Sequence, residues 1–66
     1  MSIAKVIEIS ARSDNSFEDA AKHGVAEASK TVKNIREAWV NQMKVQITDG
    51  QITGYQVDMK LTFVVD

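Results

Sequence analysis

The sequence predicts an α+β domain of order β-α-β-β, in which a three-stranded antiparallel sheet wraps around one helix. Apolar and polar residues alternate in three segments, which is typical of strands with one buried face. Between the first two segments, apolar residues recur at spacings of three and four, as in an amphipathic helix. Asp49-Gly50 separates the last two segments and favours a tight hairpin turn. We expect one domain over residues 1–66.

The first strand is predicted from Ile3 to Ser10, because this segment alternates in polarity and is rich in β-branched residues. Residues 11–15 are polar and turn-prone, so we expect them to connect this strand to the helix. Ser16 occupies an N-cap position, which predicts a helix from about Phe17.

The helix is predicted to continue for about four turns to Val32. Asp19 follows Ser16 by three residues, as in a weak capping box. The apolar stripe consists of Phe17, Ala20, Ala21, Gly24, Val25, Ala28 and Val32. Because alanine and Gly24 dominate this stripe, we expect the helix backbone to lie close to the sheet.

The second strand is predicted over Ala38–Thr48, with Trp39, Met43, Val45 and Ile47 on one face. The third is predicted from Gln51 to Asp66. Its apolar residues occupy odd positions and form the predicted core face: Tyr55, Val57, Met59, Leu61, Phe63 and Val65.

A two-residue loop at Asp49-Gly50 fixes which residues of the hairpin lie opposite each other. This register pairs Ile47 with Ile52, Met43 with Gln56, and Trp39 with Lys60. Trp39 and Gln56 then share the face opposite the core, whereas a three-residue loop would invert this parity.

The length of the hairpin predicts self-association. A strand of about 14 residues spans about 46 Å, whereas a compact chain of this size is only about 28 Å across. One helix cannot cover such a sheet, so its remaining apolar residues need another partner. Further copies of the chain are the simplest one.

Composition excludes several kinds of site. The net charge of −1 gives no basic footprint for nucleic acid, and the absence of cysteine excludes disulfides and thiolate-based metal sites. The chain starts without the apolar stretch of a secretory signal and has no long apolar run, so we expect a cytoplasmic protein that does not enter membranes. With one histidine, His23, and no convergent acid–base or nucleophile set, we expect no enzymatic activity.

Several motifs resemble the dodecin family across nearly the whole chain. They are Lys5-Val6-Ile7-Glu8-Ile9, Ser16-Phe17-Glu18-Asp19-Ala20-Ala21, Ala28-Ser29-Lys30-Thr31-Val32, Tyr55-Gln56-Val57 and Lys60-Leu61-Thr62-Phe63. The resemblance implies a hollow homododecamer that stores flavin, whether FMN, riboflavin or FAD. It also implies that Trp39 stacks on the flavin ring and Gln56 hydrogen-bonds the polar edge of that ring.

Ile35-Arg36 resembles the corresponding stretch of a second branch of the family, the calcium dodecins or SecE-like proteins. Counted from Thr31 without gaps, flavin-binding relatives place their tryptophan near Glu37, two residues before Trp39. This offset leaves open a dodecin-like structural or metal-ion-binding shell without flavin. Scattered carboxylates are the candidate oxygen donors of such a shell: Glu37, Asp49, Asp58 and Asp66.

Overall fold

The computed structural model describes residues 2–65 and contains four elements: β1 (Ile3–Ser13), α1 (Phe17–Ala28), β2 (Ile35–Thr48) and β3 (Gln51–Val65). The strands form one antiparallel sheet in the order β1-β3-β2, so β3 is the central strand. Val57, Met59 and Leu61 of β3 are fully buried beneath α1. The predicted fold class, element order and core face are therefore confirmed.

The start of α1 is confirmed, but its predicted end is wrong. The Ser16 hydroxyl accepts the Asp19 backbone N–H at 2.9 Å, as an N-cap does. The helix ends at Ala28 instead of Val32, and the tighter bonds of a 3₁₀ turn follow, from Lys30 N–H to Glu27 C=O and from Thr31 N–H to Ala28 C=O, both at 3.2 Å. The β-branched Thr31 and Val32 are weak helix formers, and the chain then turns towards β2.

Gly24 brings α1 close to the sheet, as predicted. A Cβ at this position would lie 2.8 Å from Ala11 Cβ and 2.9 Å from Met59 Cε, closer than packed carbon atoms approach. Only a residue without a side chain allows this helix to lie directly on β1 and β3.

Two strands are longer than predicted, because the central strand offers partners along its whole length. β1 continues through Arg12 to Ser13, which lies opposite Tyr55, although residues 11–13 were expected to form a connection. β2 begins at Ile35, opposite Phe63, instead of at Ala38. Backbone pairing with β3 outweighs the preference of Arg12 and Ser13 for a turn.

The hairpin turn has the predicted geometry. Asp49 and Gly50 have φ angles of 52° and 74°, as a type I′ turn requires. The structure pairs Ile47 with Ile52 and Trp39 with Lys60, as predicted.

The remaining predicted pair, Met43 with Gln56, is wrong because the hairpin contains bulges. Thr53 is an extra residue on β3, so Gln56 lies opposite Lys44 and Met43 lies opposite Val57. Asn41 is an extra residue on β2 and reverses this shift before Trp39.

The Asn41 bulge also corrects the predicted faces of β2. Lys60 and Val57 are three residues apart on β3, so their partners Trp39 and Met43 lie on opposite faces of the sheet. The expectation that Trp39 shares a face with Met43 and Val45 is therefore wrong.

The hairpin extends far beyond the helix. The principal dimensions are 52 × 19 × 14 Å, whereas a 12-residue helix covers only about 18 Å. Among the described residues, eight large apolar side chains are exposed: Ile3, Val6, Trp39, Val40, Met43, Ile47, Ile52 and Val65. Among residues 2–65, no helix has the length and apolar character needed to span a membrane.

Candidate ligand site on the helix-distal face of the sheet

The face of the sheet turned away from α1, here called the helix-distal face, carries both residues predicted to form a site. It contains the even-numbered residues of the middle of β3 and their partners on both sides. Its members are Glu8, Ser10 and Arg12 of β1, Gly54, Gln56, Asp58 and Lys60 of β3, and Trp39, Gln42, Lys44 and Gln46 of β2.

Trp39 presents a flat apolar ring to solvent at one end of this face. It is 63% exposed, more than any other aromatic residue of the described chain. The Lys60 Nζ atom lies 5.3 Å from the ring centroid, within range of a cation–π attraction. The exposed indole is a surface on which a planar partner can stack once the Lys60 ammonium moves aside.

Gln56 is held in a hydrogen-bonded chain, here called the polar row, that consists of Ser10, Asp58, Gln56 and Gln46. The Ser10 hydroxyl donates to Asp58 Oδ1 at 2.7 Å, and Gln56 Nε2 donates to the same oxygen at 3.1 Å. Gln46 Nε2 in turn donates to Gln56 Oε1 at 3.2 Å. The row crosses all three strands and fixes side chains that would otherwise rotate freely.

The carboxylate of Asp58 is the electrostatic centre of the polar row. The hydrogen bond from Ser10, followed by that from Gln56, lowers the pKa of Asp58 below its ordinary value. Lys44 Nζ lies 3.9 Å from Asp58 Oδ2 and acts in the same direction. Because these contacts lower the pKa of Asp58, its carboxylate is an ionised acceptor at neutral pH, although the side chain is only 15% exposed.

Trp39 and Gln56 share the helix-distal face, as predicted, but the structure keeps them apart. Trp39 lies opposite Lys60, which is four residues from Gln56 along β3. That separation is about 13 Å, too far for one ring stacked on the indole to reach the amide within one chain. A site that uses both side chains needs a second copy of the chain.

Sequence reasoning missed the partners of Gln56. Ser10, Gln46 and Asp58 are separated along the chain, and they meet only through the register of three strands and the Thr53 bulge. Alternation placed Asp58 on the outer face, but nothing in the spacing of the residues marked Gln46 as a neighbour of Gln56.

The three carboxylates considered as metal ligands that the structure describes are not gathered into one cluster. Glu37 and Asp49 lie at opposite ends of β2, and Asp58 is engaged in the polar row. Asp66 lies outside the described residues. Within residues 2–65, no three histidine, aspartate or glutamate residues are arranged to hold a metal ion.

A sheet wrapped around one helix, with a long hairpin extending beyond it, is the fold of the dodecins. The Dodecin family model matches residues 3–66, and the chain belongs to the dodecin family.

Solved structures agree with this assignment. The dodecin from Streptomyces coelicolor is 31% identical, with 98% of this chain and 93% of that chain covered and a TM-score of 0.93. The dodecin from Streptomyces davaonensis is 32% identical, with 98% and 96% covered and a TM-score of 0.93. The calcium dodecin from Mycobacterium tuberculosis, described as a calcium-chelating antigen, is 31% identical, with 97% and 91% covered and a TM-score of 0.84. No curated protein matches the chain.

Proposed function

We propose that this protein stores flavin in a homododecamer and catalyses no reaction. Trp39 is the stacking platform for the flavin ring, and Gln56 hydrogen-bonds the polar edge of the ring. The ligand is riboflavin, FMN or FAD. The observation that carries this proposal is the exposed Trp39 indole on the same sheet face as Gln56.

The chemistry of the two side chains suits a flavin. An indole supplies a broad apolar surface on which a fused ring can stack in an offset arrangement. A carboxamide supplies one donor group and one acceptor, which complement the alternating N–H and C=O groups of the flavin edge. Stacking on indole also quenches the excited state of the flavin, so storage in this form protects the bound molecule.

The same geometry supports the proposed assembly. Trp39 and Gln56 of one chain are about 13 Å apart along the strands, and the exposed apolar side chains of the hairpin need burial. Both requirements are met when copies of the chain pack through their hairpins. The proposed number of twelve copies comes from membership of the dodecin family.

The test is a fluorescence titration of riboflavin and FMN with the purified protein, whose oligomeric mass is checked by light scattering. We expect saturable quenching with at most one flavin bound per chain, since each shared site uses one Trp39 and one Gln56. Trp39→Ala should abolish the quenching. Met43→Ala removes another exposed side chain, 55% exposed and on the opposite face, and should retain it.

Two results would contradict the proposal. Absence of quenching by an intact wild-type oligomer would refute flavin storage. Unchanged quenching by assembled Trp39→Ala would refute the site.

A second candidate function is a structural or metal-ion-binding shell that holds no flavin. It is favoured by the similarity to the calcium dodecin from Mycobacterium tuberculosis and by Lys60, whose ammonium already lies over the Trp39 ring. A metal-binding shell would gain thermal stability with calcium and lose it with a chelator, while riboflavin would leave its melting temperature unchanged. The flavin-storage proposal predicts that riboflavin raises the melting temperature and that calcium and the chelator leave it unchanged.

A further inference from the structure

We infer that Asp58, Gln46 and Gly54 are positioning residues that set the direction in which Gln56 presents its carboxamide. The inference rests on the proposed function, because the edge that Gln56 would read belongs to the flavin. It concerns residues that do not themselves touch the ligand and that act through Gln56.

The direction of the polar row is set at Asp58. An ionised carboxylate accepts hydrogen bonds and cannot donate them. Gln56 must therefore turn its Nε2 towards Asp58, at 3.1 Å, which leaves its Oε1 on the side of Gln46. Gln46 must then donate through its own Nε2, at 3.2 Å. The charge of Asp58 thus orients the Gln56 amide directly and the Gln46 amide through Gln56.

Gly54 provides the space in which Gln46 lies. The two residues are directly opposite each other on β3 and β2. A Cβ on Gly54, which is buried, would lie 2.7 Å from Gln46 Oε1. Gly54 does not adopt a positive φ angle, unlike Gly50, so the backbone itself would accept alanine. Glycine is therefore needed at this position to leave space for the Gln46 amide. The conformation of the strand does not require it.

A fixed amide discriminates between ligands better than a mobile one. In the polar row, Gln56 uses one N–H and one oxygen lone pair, and it keeps one of each for a ligand. Because the polar row already fixes the positions of Gln56 Nε2 and Oε1, the ligand does not have to select one of two flipped orientations of the amide. The ligand chemistry that fits is a ring edge with an adjacent donor and acceptor, such as an imide.

The test compares riboflavin with N3-methylriboflavin, which keeps the stacking surface but lacks the imide N–H. Dissociation constants for both are measured by fluorescence quenching with the assembled protein. We expect the wild type to favour riboflavin by about tenfold, the value of one buried hydrogen bond. In Gly54→Ala and Asp58→Asn this ratio should fall towards one. A general structural defect would weaken both ligands equally and leave the ratio unchanged.

The matched control is Gln51→Ala, which removes an exposed amide at the turn end of β3, opposite Thr48 and away from the polar row, and should keep the wild-type ratio. If Gly54→Ala does not assemble, Gln46→Ala removes the same donor without adding a Cβ. A wild-type ratio in the assembled positioning variants would overturn the inference and leave flavin storage standing. Absence of riboflavin binding by the wild type would overturn both.

Discussion

Lys60 and Trp39 lie directly opposite each other on neighbouring strands, and the Lys60 ammonium is 5.3 Å from the centre of the indole ring. A cation at this distance is attracted to the ring face. Any planar ligand that stacks on the same face must displace the cation first. Lys60 therefore competes with the proposed ligand for Trp39.

This competition predicts that Lys60→Gln strengthens riboflavin binding. An exposed cation–π contact contributes about 0.5–1 kcal/mol, so its loss should lower the dissociation constant by about two- to fivefold. The measurement is the quenching titration, with Lys22→Gln as a control that removes an exposed lysine from α1, away from the helix-distal face. Weaker binding by Lys60→Gln alone would show instead that the ammonium contacts the ligand.

The polar row predicts how stability depends on pH. The Ser10 hydroxyl is the main cause of the lowered pKa of Asp58 in the folded protein. The stabilisation is therefore fully present above the pKa of the unfolded chain, about 4, and it is lost as the pH falls through the lower folded pKa. Ser10→Ala should be less stable than the wild type at about pH 6, and the difference should shrink as Asp58 becomes protonated.

The measurement is urea unfolding at about pH 6 and in strong acid, at equal protein concentration. Ser29→Ala, at the exposed end of α1, is the control and should change stability by the same amount at both pH values. A Ser10→Ala deficit that stays constant into strong acid would contradict the assigned cause of the pKa shift.

The close approach of α1 to the sheet predicts that Gly24→Ala is destabilising. Alanine improves helix propensity by about 1 kcal/mol, but its Cβ would lie 2.8 Å from that of Ala11, which cannot rotate away. Overpacking of this kind costs about 1–3 kcal/mol, so we expect a net loss of stability. Urea unfolding measures the change.

Ala26→Gly, on the exposed side of α1, is the matched control and should lose only the propensity difference of about 1 kcal/mol. A stabilising Gly24→Ala would show that helix and sheet can separate at little cost.

The sequence predicted those parts of the fold that depend on local chemistry. Ser16 marked the helix start and Asp49-Gly50 marked the turn, since caps and tight turns are set by residues adjacent in the chain. The helix end was missed because apolar spacing continued through Val32, although the backbone had already left the helix at Ala28.

The candidate site was only partly predictable for a different reason. Strand bulges are not marked by residue type, so the Thr53 and Asn41 bulges could not be foreseen. One adds a residue to β3 and the other to β2, so they cancel at Trp39, whose pairing with Lys60 was predicted correctly. In the stretch between the two bulges, the register is shifted by one residue. Gln56 therefore lies opposite Lys44 and not opposite Met43, as had been predicted.

The central claim is that Trp39 of one chain and Gln56 of another complete one flavin site. The direct test is co-assembly of Trp39→Ala chains with Gln56→Ala chains, followed by riboflavin titration of the mixed oligomer. Trp39→Ala alone should not quench riboflavin, and Gln56→Ala alone should quench it only at higher protein concentration. The mixed oligomer should recover part of the high-affinity quenching of the wild type, because some of its sites contain an intact Trp39 and an intact Gln56. Failure of the mixed oligomer to recover any high-affinity quenching, when wild-type chains assembled in the same way do show it, would contradict the shared site.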